Sequence, residues 1–147
     1  MALPLLLAVE VLRAPPLPAD LQGLVQALRQ HGFAVRLEAP PQRDVYGLFD
    51  SRSRTLWITP ISFALGIGRQ TLLHEATHAL QSCPLGVLQP LGWPLPLNPV
   101  VRQEIEAITF QRYGHGNRAV EREAFALQGQ PNAVALLLKG LNARCKR

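Results

Sequence analysis

Apolar positions along the chain change their period several times, and each change marks an element. Leu21, Leu24, Val25 and Leu28 recur at helical spacing, which predicts an amphipathic helix with Asp20 as a cap before it and Gly32 as a stop after it. A Pro-rich turn, Ala14-Pro15-Pro16-Leu17-Pro18, precedes it. Residues 33–37 alternate like a strand that Pro40-Pro41 ends. Two β-rich runs, 45–49 and 55–59, flank the polar turn Asp50-Ser51-Arg52-Ser53 and predict a hairpin. The hairpin leads through Gly66, Gly68 and Arg69 into another helical period. There Leu72, Leu73, Ala76, Ala79 and Leu80 fall on one side and Thr71, His74, Glu75, His78 and Gln81 on the other, the pattern of a helix with a solvated polar face.

Residues 84–99 are crowded with proline and hold Gly86, Gly92 and Trp93, so they predict an irregular loop. A loop of that length inside a domain is uncommon unless it does something, such as covering a site. Asn98-Pro99 signals a helix running to about Arg112 and ending at Gly114. Asn117 caps another, with Val120, Ala124 and Leu127 on one face, and Pro131 opens a last one carrying Val134, Leu137, Leu138 and Leu141. The expected class is α+β: a small β-hairpin or sheet packed on a bundle of helices, in a single domain over residues 1–147.

Composition narrows the picture. The net charge of +5 is almost all arginine and is spread along the chain, with no basic run interleaved with aromatics, so no nucleic-acid partner is indicated. The apolar start, residues 1–13, lacks a positively charged opening and is interrupted by Glu10; it reads as a strand or extended piece of the fold. It is too short to span a bilayer, so no membrane span is expected. Cys83 and Cys145 form no C-x-x-C and are poor zinc ligands. A cytoplasmic location leaves them as buried thiols; in a secreted or periplasmic protein they can join, contributing about 3–4 kcal/mol on the chain-entropy model.

The chemistry concentrates in His74-Glu75-Ala76-Thr77-His78. Helical residues four apart share a face, so these two imidazoles can aim at one point off the helix, where a zinc ion fits. Glu75 is placed to reach a water there and suits a general base. Two imidazoles are an incomplete site, because zinc takes at least three protein ligands. Downstream there is no Asp, and only one His, His115, so the third ligand is most simply a glutamate: Glu104, Glu106, Glu121 or Glu123. Periodicity does not choose between Glu121 and Glu123, which flank the apolar face of their helix on opposite sides. Each of these glutamates can equally be a solvated residue paired with a neighbouring arginine.

His74-Glu75-x-x-His78 followed by Glu121-x-x-Ala124 resembles the gluzincin metallopeptidases, the class that includes thermolysin. The hairpin running into Thr71-Leu72-Leu73-His74-Glu75 is similar to the minimal zincins of the ImmA/IrrE kind, over roughly residues 45–127. The resemblance implies a zincin-like fold, Zn2+ on His74, His78 and Glu121, and Glu75 as base. One departure is Phe125, which stands where many gluzincins place an Asp or Asn that orients a histidine, so that orientation must come from other groups.

A zinc-dependent peptidase acting on a peptide or protein substrate is the function expected. Glu75 accepts a proton from water and passes it to the departing amine, and Tyr113 or His115, in the turn between two helices, is placed to steady the oxyanion. Tyr113 as a core ring and His115 as an exposed turn residue are the plain alternatives. Substrate is expected to add to the edge of strand 55–59. The competing functions are a zinc-binding regulatory or interaction module without hydrolysis, and a metal-free helical domain.

Overall fold

Leu21, Leu24, Val25 and Leu28 form the buried stripe of helix α1, Ala19–Gln30. The computed structural model describes residues 16–97 and 118–146. The expected N-terminal strand, the helix after Asn98, the cap Asn117, and Glu104, Glu106, Tyr113 and His115 lie outside the described residues. The α1 cap position is Pro18, and Asp20 sits inside the first turn, where its Oδ2 pairs with Arg69 Nη2 at 2.7 Å. Gly32, at φ 88°, ends the helix as expected.

Strand β1, Ala34–Arg36, is shorter than the alternating run that announced it. The hairpin is β2, Gly47–Asp50, and β3, Thr55–Ile58. Asp50 shapes its turn by accepting from Arg52 N and Ser53 Oγ. Arg54, at φ 53°, closes the turn; its guanidinium donates to His31 O and lies 4.1 Å over the Phe33 ring. The three strands form one mixed sheet in the order β1-β3-β2, with β1 parallel and β2 antiparallel to β3.

Four more helices follow among the described residues: α2, Pro60–Ala64; α3, Gly68–Gln81; α4, Arg118–Gln128; and α5, Ala133–Arg144. The architecture is therefore α+β, five helices and a three-stranded mixed sheet, and no described helix is long and apolar enough to cross a membrane. Leu56 and Ile58 of β3, Leu72, Leu73, Ala76 and Leu80 of α3, and Leu127, Leu137 and Leu141 join the α1 stripe in one apolar core. Gly140 lets α5 close on α3, since a Cβ there would lie 2.6 Å from Leu80 Cδ2. Cys83 and Cys145 are joined in a disulfide that fastens the end of α3 to the end of α5.

Candidate metal centre

Helix α3 is buried on both of its faces. His78 is 5% exposed and Gln81 1%, so the polar side, for which a solvated face was the alternative to a metal-facing one, is turned into the protein. Burying this many polar groups is costly unless each finds a partner, and these do. Helix α4 lies along α3, with Ala124 fully buried, and carries Glu121 to the two imidazoles. Glu121 Oε2 is 3.0 Å from His74 Nε2, Glu121 Oε1 is 2.9 Å from His78 Nε2, and the two Nε2 atoms are 3.1 Å apart. These three residues form a buried set able to hold a metal ion, one donor atom of each lying within 4.8 Å of the others.

The outer nitrogens are engaged too. His74 Nδ1 lies 2.8 Å from Gln128 Oε1, and His78 Nδ1 lies 2.7 Å from Gln81 Oε1. An amide oxygen only accepts, so each Nδ1 carries a proton, and a ring with no second proton turns its Nε2 lone pair inward. Two Nε2 atoms and two carboxylate oxygens then converge on one point, an arrangement that a metal ion or a shared proton would satisfy. A proton can serve in part: burial works against a charged His78, but hydrogen bonding to Glu121 and the nearby carboxylates leave its pKa above the ordinary histidine value. Burial pushes the Glu121 carboxyl up, and hydrogen bonds from His74 and His78, made when a proton lies on their Nε2 side, outweigh it, lowering the pKa from 4.5 to about 2.

Glu75 is held apart from this set. Burial raises its carboxyl above the usual range and the Glu121 charge adds to that; His74, His78 and the Phe49 N–H pull the other way. Gly47 permits the closeness of β2 to α3, since a Cβ there would lie 2.6 Å from Thr71 Cγ2 and 3.0 Å from Glu75 Cγ. Between them opens a cleft of about 430 Å³, lined by Tyr46, Gly47, Thr71, His74, Glu75 and Gln128 among others.

Several expectations are corrected here. Strand 55–59 has no open edge, because β3 is the middle strand and both its sides are paired. The strand beside the cleft is β2. Thr59 N donates to Tyr46 O, which makes residue 46 a hydrogen-bonded position of the hairpin; by alternation the N–H and C=O of Gly47 and Phe49 point away from β3. Glu123 is not at the metal set: its oxygens accept from Gln81 Nε2, Leu91 N and Gly92 N. The loop 84–97 packs there, against α4, and none of its residues lines the cleft.

Gln81, Gln128, Gly47 and Phe49 were not read as site residues. Two left a signal: Gln81 lies three residues beyond His78 and Gln128 seven beyond Glu121, each on the same helix face as the residue it serves. Phe125, where an orienting carboxylate was missed, stacks edge-on against His74 with ring centroids 4.5 Å apart. Comparison of the chain with family models, with curated proteins and with solved structures finds no match.

Proposed function

We propose that this protein is a zinc-dependent peptidase on a zincin-like arrangement, with Zn2+ held by His74, His78 and Glu121. The observation that carries the reading is the convergence of both Nε2 atoms on the Glu121 carboxylate, with each Nδ1 turned outward to an amide oxygen. Two imidazoles and one carboxylate are the donor set that suits zinc while leaving room for water. A bound ion there supplies Lewis acidity, acidifying water and polarising a carbonyl. Glu75 is the proton carrier: buried next to the set and outside it, it takes a proton from water and returns it to the leaving amine. The outward-pointing N–H and C=O of Gly47 give an extended peptide a strand edge to pair with across the cleft, in place of the edge expected on β3. The disulfide supports an oxidising compartment over the cytoplasm.

A second reading, a metal-binding module without hydrolysis, draws on one observation. Both imidazoles lean on neutral amides, which raise ligand basicity less than carboxylates do. Glu75→Gln separates the two. Zinc content of the purified protein and cleavage of a mixed peptide library are measured on both chains. The peptidase keeps its metal in the variant and loses turnover by about 10²–10⁴-fold. A wild-type chain that holds zinc and cleaves no peptide is the module.

A further inference from the structure

Gln81 stands between His78 and the acidic residue that the metal set does not use. Its Nε2 donates to Val120 O at 3.0 Å and to Glu123 Oε1 at 2.9 Å. Both partners only accept, so the amide has one orientation available, with its oxygen toward His78 Nδ1 at 2.7 Å. Glu123 is itself fixed from the far side, where Leu91 N and Gly92 N donate to its two oxygens. A line of hydrogen bonds thus runs from the backbone of the loop 84–97 through Glu123 and Gln81 to a metal-facing ring.

We propose that Glu123 and Gln81 are positioning residues that hold His78 in its metal-ready tautomer, so that Glu123, which touches no donor atom of the metal set, governs metal affinity and couples it to the seating of the loop 84–97. The inference rests on the metal reading given above. Reversal of the Gln81 amide would turn an N–H donor toward His78 Nδ1, favour the proton on Nε2, and block the lone pair the ion needs. Glu123 prevents that reversal, because its carboxylate would then meet the amide oxygen. In Glu123→Gln the new NH2 group must face donors, either Gln81 Nε2 together with Leu91 N at the Oε1 position or Gly92 N at the Oε2 position, so the hold on Gln81 is lost or the loop is loosened at Gly92. Coupling is reciprocal, so an ion that favours the ready tautomer also favours the seated loop.

The test is a zinc titration of the metal-free, disulfide-intact full chain against a competing chromophoric chelator, for wild type, Glu123→Gln, Gln81→Leu and the double variant. Loss of an outer partner of a ligating histidine weakens metal binding by about 10- to 100-fold. That range is expected for Gln81→Leu, about 10-fold for Glu123→Gln, and no further loss for the double variant. An unchanged affinity in Glu123→Gln overturns the proposal, and so does an equal Glu123→Gln effect in the Gln81→Leu background, which would mean that its charge acts through space. Proteolysis of the loop provides a second measurement: zinc slows it in wild type and not in Glu123→Gln, and equal protection in both overturns the coupling. A third needs no variant: nitrogen NMR of the neutral His78 ring in metal-free wild type shows the Nδ1–H form, and an Nε2–H ring overturns the proposal. A wild-type chain that binds no zinc overturns the metal reading itself, a result distinct from the others.

Discussion

Glu121→Gln is the perturbation that weighs most on the metal centre, because it replaces the anionic member of the set with a neutral residue of the same shape. The structure sets the scale. The pKa of the Glu121 carboxyl falls from 4.5 to about 2 under the influence of two imidazoles, a preference for the charged form of about 3 kcal/mol. A divalent ion carries more charge than the proton it displaces, so removing the carboxylate costs zinc binding at least that much, about 100-fold or more in affinity. The assay is chelator competition at neutral pH, with Glu38→Gln as a control, since Glu38 is exposed and among the described residues pairs with Arg36 at 3.6 Å. Unfolding of the metal-free variant, followed by circular dichroism, shows whether the helices persist. A Glu121→Gln affinity within about 3-fold of wild type would refute the assignment.

Other expectations follow from the same geometry. Gly47→Ala forces a methyl to within 2.6 Å of Thr71 Cγ2, which should destabilise the protein by about 1–3 kcal/mol in a urea titration; full stability would mean that β2 can move off α3 freely. Replacing both Cys83 and Cys145 with serine removes a link across 62 residues, worth about 4 kcal/mol on the chain-entropy model, and an unchanged midpoint would contradict it. In the metal-free protein the depressed Glu121 pKa stabilises the fold fully above its unfolded value of 4.5, and this contribution is lost as pH falls toward about 2. Glu121→Gln should therefore flatten stability against pH in that window, and an unaltered acid limb counts against the pairing. Glu75→Gln should leave zinc content at the wild-type level, and a loss of metal would make Glu75 a ligand.

Much of this architecture was legible because periodicity reports burial. The α1 stripe and the hairpin follow from apolar spacing, and the meeting of His74 with His78 follows from four-residue spacing on a helix. The side on which α4 receives its neighbour was not legible. Glu121 and Glu123 flank one apolar face symmetrically, and only the position of α3 decides that the first meets the histidines and the second the loop. The strand edge was misjudged for a related reason. A hairpin read locally leaves both outer edges open, and the pairing of β1 with β3 brings together residues about twenty apart in the chain. The buried polar face of α3 was hidden because period measures amphipathicity and is silent on whether a polar side meets water or other polar groups.

The disulfide has a consequence for what a protease would leave behind. A single nick in the loop 84–97 would place His74 and His78 on one fragment and Glu121 on the other. The bond from Cys83 to Cys145 would still join the pieces, so the two halves of the centre would meet at intramolecular concentration rather than drift apart. Such a two-chain species would run as one band on a gel without reductant and as two with it, while retaining all three members of the candidate metal set.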